Sequence, residues 1–324
     1  MWKSILLGAL VVCLPALTSA AETTSAHKAA YKKAVYKKNV YKKKVGLKKK
    51  PLRRANFHRV SFPVTLDPAR LHLRSNSVLV FDQSTGESVY TKNADAVQPI
   101  ASITKLMTAL VVLESKLDLD EPVTIDADDV DSLKFTRSRL TVGAVIRRGD
   151  LMRLALMASE NRAAAALGRS FPGGISAFVA SMNEQAAALG LTQTRFADST
   201  GLSSHNVSSP GDLAKLVQAA YQYPLIREYS TTPGLMLTLP DSGRSLTFNN
   251  TNMLVKNSSW QIGLQKTGFI NESGQCLVMQ TVIGTRPFVI VLLDAWGKYS
   301  RIGDANRIKK WLELRVASNQ AGAT

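Results

Sequence analysis

The chain has 324 residues, of which 45% are hydrophobic, so it can bury one large core or two modest ones. Its formal net charge of +17 is local, because thirteen Lys and Arg lie between residues 27 and 54 and no acidic residue accompanies them. Without those thirteen, 28 basic residues stand against 24 acidic ones. The composition therefore excludes a fold that is basic throughout and indicates a globular protein with unusual ends.

Residues 1–20 have the pattern of a secretory signal peptide. Lys3 precedes the apolar run 5–14, and Thr18-Ser19-Ala20 places small residues where a signal peptidase cleaves. We therefore expect an exported, periplasmic protein that is cleaved after about Ala20. A membrane anchor is the alternative, but spanning a bilayer takes roughly 20 apolar residues. A lipoprotein anchor at Cys13 would lack the small neighbours that such processing prefers.

Residues 21–58 form a basic tail built around a five-residue repeat that begins at Tyr31, Tyr36 and Tyr41, each followed by two lysines. The period fits neither a helix nor a strand, and so charged a segment cannot bury enough apolar surface to offset its ordering entropy. We predict that the tail is disordered in isolation. Its charge suits an anionic lipid, lipopolysaccharide or an anionic wall polymer, and a solvated spacer is the alternative.

Residues 59–315 are predicted to form the catalytic domain, followed by a C-terminal tail at 316–324. Strands at both ends surround a helical middle, which indicates an α+β fold. The predicted elements are a hairpin over 77–90, a helix from about Ser102 to Leu117, a polar segment over 118–141, a helix over 148–156, a helix capped by Ser209, strands over 277–283 and 288–293, and an amphipathic helix over 302–314.

Cysteine and histidine usage gives no sign of a disulfide or a metal. Loss of the signal peptide leaves Cys276 alone, and its apolar run Cys-Leu-Val-Met predicts an inert core thiol and not a nucleophile. Neither a metal site nor a cofactor is predicted, because no metal-ligand spacing relates the four histidines, which are His27, His58, His72 and His205.

Ser102 and Lys105 are three residues apart at a predicted helix start, which puts both on one helix face. An amine can deprotonate a serine if burial or a second cation lowers its pKa, and Lys266 is the candidate cation. Ser-x-x-Lys alone arises by chance about once in a chain of this length. It occurs again at Ser25 and Lys28, so a helix cap with an exposed lysine is the alternative.

Two further motifs follow in the chain. Ser-x-Asn occurs at Ser159-Glu160-Asn161, after a predicted helix, and at Ser204-His205-Asn206, in a Gly/Ser-rich loop. The position after a helix favours the first occurrence as the functional motif. Its middle residue, Glu160, is expected on the solvent side. Lys266-Thr267-Gly268 is a rarer combination, and its glycine allows a close backbone approach beside a predicted strand.

Taken in order, at separations of 57 and 107 residues, the three motifs resemble the active-site signature of penicillin-binding proteins and serine β-lactamases. The surrounding segments 102–110, 198–202, 211–214 and 263–268 resemble the D-alanyl-D-alanine carboxypeptidase and endopeptidase family in particular. This resemblance covers roughly residues 75–311. It implies a β-lactamase/transpeptidase-like fold, an antiparallel sheet flanked by helices with an inserted helical region.

The resemblance also implies a role for each motif residue. Ser102 would be the acylated nucleophile, Lys105 its general base and Ser159 a proton relay. The oxyanion would face the backbone N–H groups of Ser102 and Phe269. The substrate-binding residues implied are Asn161, Lys266, Thr267, Gly268, Phe269 and Arg301, the last of which matches the position of a substrate-binding arginine.

The implied substrate is peptidoglycan, and β-lactam antibiotics would be acylating inhibitors. The chain ends 58 residues after Lys266, without the second β-rich domain and anchoring helix that the carboxypeptidases usually add. We therefore expect a D,D-endopeptidase, with a D,D-carboxypeptidase as the alternative. A β-lactamase and a non-catalytic wall-binding protein are the remaining hypotheses.

Overall fold

The structure is a computed structural model that describes residues 71–239 and 243–321. The predicted signal peptide, the basic tail, residues 59–70 and Cys13 lie outside the described residues. The strands are β1 (Ser75–Asp82), β2 (Glu87–Lys92), β3 (Gln98–Pro99), β4 (Pro122–Thr124), β5 (Val145–Arg147), β6 (Val207–Ser208), β7 (Gly234–Thr238), β8 (Ser245–Asn249), β9 (Gln261–Ile270), β10 (Gly274–Ile283) and β11 (Arg286–Ala295). The α-helices are α1 (Lys105–Glu114), α2 (Arg148–Met157), α3 (Asn161–Arg169), α4 (Gly174–Ala188), α5 (Pro210–Tyr221), α6 (Pro224–Thr231) and α7 (Ser300–Ala321).

An antiparallel five-stranded sheet organises the fold, in the order β2-β1-β11-β10-β9. The predicted hairpin corresponds to β1 and β2, and Asp82 Oδ1 holds its turn by accepting the N–H of Ser84 at 2.8 Å. The two predicted C-terminal strands lie within β10 and β11. The α+β prediction is confirmed, and β9 lies at one edge of the sheet.

Helices cover both faces of this sheet, which explains why consecutive residues of β10 and β11 are buried without alternation. On one face, Val278 and Val291 belong to the same core as Leu216 of α5. On the other face, Leu292 belongs to a second core with Trp311 of α7. Each such side chain stabilises the fold by roughly 1.5–3 kcal/mol relative to an exposed position, so the sheet is a rigid base for the cleft.

The last helix is longer than the sequence predicts. α7 runs from Ser300 to Ala321, whereas the prediction covered only 302–314. Ile308, Leu312 and Val316 repeat every four residues and are all buried against the sheet. The predicted boundary between catalytic domain and C-terminal tail, at residue 316, therefore falls inside a packed helix.

The helical region lies between β2 and β9 in the chain. A 3-10 turn over Ala101–Thr104 leads into α1, which ends at Glu114, three residues before the predicted end. α2 matches its predicted position, and Ser209 caps α5 by accepting the N–H of Asp212 at 3.2 Å. Within the ranges that the structure describes, no helix is both long and apolar enough to cross a membrane.

Candidate active site

Ser102 and Lys105 meet at the start of α1. Ser102 lies in the 3-10 turn, and Lys105 Nζ is 2.9 Å from Ser102 Oγ. Ala101, immediately before the serine, has a φ of +47°, which is unusual for a residue with a Cβ. Strained backbone of this kind is typical of functional sites, because the surrounding structure must hold it.

Lys105 is fully buried, and its amine has two further partners. Nζ donates to Asn161 Oδ1 at 2.7 Å and to the Thr200 carbonyl at 2.6 Å. Both partners only accept hydrogen bonds. A neutral amine has two hydrogens and one lone pair, so these two acceptors take both hydrogens and leave the lone pair facing Ser102 Oγ.

Burial lowers the pKa of Lys105 from 10.5 to about 7, although the negative charges of Asp198, Glu160 and Asp131 oppose the shift. A large share of the amine is therefore neutral near pH 7. From the sequence, burial or a second cation, Lys266, was expected to cause this effect. Removal of the amine from water is the largest cause.

Lys266 lies on β9 and is also fully buried. Its Nζ donates to Ser159 Oγ at 2.9 Å and to the Thr267 carbonyl at 2.8 Å. Burial, followed by the positive charges of Lys105 and Arg301, lowers the pKa of Lys266 well below its ordinary value. Two buried amines thus share one cleft, each in contact with a serine hydroxyl.

The first Ser-x-Asn motif reaches the site and the second does not. Ser159 has a φ of +58° at the turn between α2 and α3, and this turn sends Ser159 to Lys266 and Asn161 to Lys105. Asn206 of the second motif is buried, and its Oδ1 accepts the N–H groups of Ala197 and Asp198 at 2.6 and 3.2 Å. The second motif therefore supports a loop.

That loop supplies a contact that the sequence analysis missed, the carbonyl of Thr200. Asp198 Oδ1 accepts the N–H groups of Thr200 and Gly201, both at 2.6 Å, and so shapes the turn. Gly201 has a φ of +81°, and a Cβ there would lie 2.0 Å from the Ala101 carbonyl oxygen. The sequence Asp-Ser-Thr-Gly is the available signal, because Asp followed by Gly is typical of such turns.

Gly268 brings β9 against the backbone of the nucleophile. A Cβ at this position would lie 2.8 Å from the Ile100 carbonyl oxygen and 3.2 Å from Ser102 N. Phe269, the next residue, has 55% of its surface exposed. Thr267 Oγ1 lies 2.6 Å from Thr251 Oγ1. Every predicted residue from 266 to 269 therefore lies on the strand that borders Ser102.

Arg301 reaches the same strand from α7. Its Nη1 donates to the carbonyls of Gly268 and Cys276 at 2.9 and 3.2 Å. Burial lowers the pKa of Arg301. The structure thus places this guanidinium beside the Lys-Thr-Gly motif, and its role in substrate binding stays a prediction.

The comparisons with known proteins agree with this geometry. Residues 64–297 match the peptidase family described as D-alanyl-D-alanine carboxypeptidase. The chain belongs to this family. The chain is 51% identical over 246 residues to a D-alanyl-D-alanine endopeptidase of Pseudomonas aeruginosa, covering 76% of this chain and 79% of that protein. It is 47% identical over 241 residues to the D-alanyl-D-alanine endopeptidase of Escherichia coli, covering 74% and 78%.

Solved structures extend the family likeness to the fold. The Streptomyces K15 DD-transpeptidase is 29% identical, with a TM-score of 0.69, and the match covers 74% of this chain and 97% of that one. Penicillin-binding protein D2 from Listeria monocytogenes, in its ampicillin-bound form, is 30% identical, with a TM-score of 0.63 and coverage of 74% and 98%. The predicted transpeptidase-like fold is confirmed.

Two other predictions in this family member have different outcomes. Glu160 is half-buried, not on the solvent side, and burial raises its pKa. Cys276 is fully buried as predicted, and burial raises the pKa of its thiol to about 11. Among residues 71–239 and 243–321, no group of three or more His, Cys, Asp and Glu is arranged to hold a metal ion.

Proposed function

We propose that this protein is a D-alanyl-D-alanine endopeptidase, a serine D,D-peptidase that hydrolyses D-alanyl cross-links of peptidoglycan through an acyl-enzyme on Ser102. The observation that supports it most is the amine of Lys105, which is buried, partly neutral and 2.9 Å from Ser102 Oγ. The choice of endopeptidase over carboxypeptidase is supported by identity, which is higher to the relatives named endopeptidase than to those named carboxypeptidase.

Acylation begins when the Ser102 hydroxyl gives its proton to the lone pair of Lys105 and its oxygen attacks the D-alanine carbonyl carbon. The oxyanion that forms faces the N–H groups of Ser102 and Phe269. The C–N bond of the cross-link then breaks. Ser159 protonates the leaving amine, and Lys266, which donates to it at 2.9 Å, replaces that proton.

Hydrolysis returns the protons along the same contacts. A water molecule attacks the ester and gives one proton through Ser159 to Lys266. Lys266 can accept this proton because acylation has left its amine neutral, and the lowered pKa of Lys266 favours that neutral form. The C–O bond breaks, and the Ser102 oxygen recovers the proton held by Lys105. A β-lactam would acylate Ser102 by the same first step.

Muropeptide mass spectrometry tests the reaction. The full chain is expected to convert purified cross-linked dimers to monomers, and Ser102→Ala should abolish this activity and labelling by fluorescent penicillin. Ser204→Ala, in the second Ser-x-Asn motif, is the matched control and should keep both. Release of free D-alanine from pentapeptide monomers, with dimers left intact, would show a carboxypeptidase instead. Labelling that survives in Ser102→Ala would reject the nucleophile.

We further propose that the protein is exported and that its basic tail binds anionic lipid or wall polymer. The support is the signal-like pattern of residues 1–20 and the thirteen basic residues between 27 and 54. Co-sedimentation with vesicles containing anionic phospholipid, at increasing salt, tests the tail. The full chain should bind in a salt-dependent way, and a variant lacking 27–54 should not. Equal binding by both would reject this role.

A further inference from the structure

A tight turn beside the cleft is organised by one carboxylate. Asp131 Oδ1 accepts the N–H groups of Leu133 and Lys134 at 2.8 and 2.9 Å. Asp131 Oδ2 accepts the N–H and the hydroxyl of Thr136 at 2.9 and 2.7 Å. Between them Phe135 has a φ of +55° while 80% of its surface is exposed. Packing does not compensate this strained residue, so the hydrogen bonds of its neighbours must hold the turn.

The turn is joined to the catalytic cluster through Thr136. Asn161 Nδ2 donates to Thr136 Oγ1 at 2.9 Å, and Asn161 Oδ1 accepts from Lys105 Nζ at 2.7 Å. A chain of side-chain hydrogen bonds thus runs from Asp131 through Thr136, Asn161 and Lys105 to Ser102.

The donor and acceptor roles along this chain have a fixed direction. A carboxylate only accepts, so the Thr136 hydroxyl gives its hydrogen to Asp131. The lone pairs of that hydroxyl are then left for Asn161, and only the Nδ2 end of the amide can donate to them. The Oδ1 end must consequently face Lys105.

A flipped amide would disable the base. An N–H of Asn161 would then point at Lys105 Nζ, and the neutral amine would turn its lone pair toward Asn161 and away from Ser102. Without the hydroxyl at position 136, only the contact with Lys105 would select the amide orientation, and a neutral amine can either donate to Oδ1 or accept from Nδ2. The orientation of a half-buried amide thus depends on an exposed threonine.

We propose that Thr136 is a positioning residue for acylation, which fixes the amide of Asn161 so that the lone pair of Lys105 faces Ser102. This inference rests on the proposed function and adds a residue to it that none of the three motifs contains.

Thr136→Val and Thr136→Ser test this role in the full chain. Valine keeps the shape and loses the hydroxyl, and serine keeps the hydroxyl. Thr141→Val is the matched control, because Thr141 is an exposed threonine a few residues further along. The second-order rate constant of acylation by a fluorescent penicillin is measured from pH 5 to 9, and thermal unfolding checks that each variant is folded.

Thr136→Val is expected to lower the rate constant about tenfold, the effect of one lost neutral hydrogen bond. It should also move the pH midpoint of acylation downward, because an N–H directed at Lys105 disfavours the ammonium. Thr136→Ser and Thr141→Val should have acylation rate constants within roughly twofold of that of the parent protein and the same pH midpoint. A Thr136→Val rate within twofold of the parent, or a loss with an unchanged midpoint, would overturn the proposal.

The charged groups that act on Lys105 are the same in all of these variants, so a shifted midpoint reports the amide and not a lost charge. They are Asp198, Glu160 and Asp131, and the buried Lys266, whose pKa Lys105 lowers, is unchanged as well.

A double-mutant cycle decides whether Thr136 acts through Asn161. In an Asn161→Ala background, Thr136→Val should have no further effect on acylation. A tenfold loss in both backgrounds would reject the proposed route. The outcome is separable from failure of the proposed function, because a wrong nucleophile would appear as penicillin labelling of Ser102→Ala, whatever Thr136 does.

Discussion

The pH dependence of acylation is the sharpest consequence of the buried amine at Lys105. With a pKa of about 7, half of the amine is neutral at pH 7. The neutral share is about one-tenth at pH 6 and about nine-tenths at pH 8. Since only the neutral form accepts the Ser102 proton, the rate constant of acylation should rise about tenfold between pH 6 and pH 8 and then level off.

The share of neutral Lys105 at a given pH depends on the burial of its amine. A lysine with the ordinary pKa of 10.5 would be neutral in fewer than about one molecule in a thousand at pH 7. Burial therefore increases the neutral population by about three orders of magnitude. Lys105→Arg removes this gain, because a guanidinium stays protonated in proteins, and acylation should fall about a thousandfold or more at every pH tested.

Stopped-flow acylation by a fluorescent penicillin, from pH 5 to pH 10, provides the measurement, with Ser204→Ala as the control for the labelling chemistry. A rate that continues to climb up to pH 10 would mean that Lys105 has an ordinary pKa. A flat profile would mean that it is not the base. Either result would refute the argument from burial.

Two further predictions concern groups around this amine. Gly201→Ala places a Cβ against the Ala101 carbonyl, so this variant should unfold at a lower temperature and acylate more slowly than the control Gly190→Ala. At Gly190 φ is also positive, at +65°, but a Cβ would have no atom within 4 Å. Equal melting temperatures by calorimetry and equal labelling rates of the two variants would contradict this. Glu160→Gln removes a charge that raises the pKa of Lys105, so the midpoint of the pH profile of acylation should move to lower pH. A midpoint that stays or rises would contradict the effect of the Glu160 charge on Lys105.

The sequence predicted the parts of the fold and site that depend on local patterns. The apolar residues of β10 and β11 do not alternate with polar ones because helices bury both faces of the sheet, and this signal survives without any tertiary information. The pairing of Ser102 with Lys105 is likewise tied to residue type and spacing, whereas the placement of all three motifs in one cleft was implied by their resemblance to the penicillin-binding proteins.

Other parts depend on contacts that residue types do not encode. The Thr200 carbonyl is a backbone group, which every residue has, so only the turn around Asp198 could have indicated it. Glu160 was expected on the solvent side because the middle position of Ser-x-Asn varies among the proteins that the motif resembles, whereas neighbours in space bury it here. The end of α7 was misplaced because the sequence after Leu314 carries no helix-stop signal at a fixed residue, and only the packing of Val316 in the second core shows that the helix continues.

The burial of Lys105 also couples protonation to unfolding. The folded chain holds this amine with a pKa of about 7, while the unfolded chain restores the ordinary 10.5. Between those pH values the unfolded state binds more protons, so the free energy of unfolding increases as the pH rises through this window. Below pH 7 the penalty reaches its full size, on the order of 5 kcal/mol for the amine alone. Mild alkali should therefore make this protein harder to melt while every contact in the cleft stays in place.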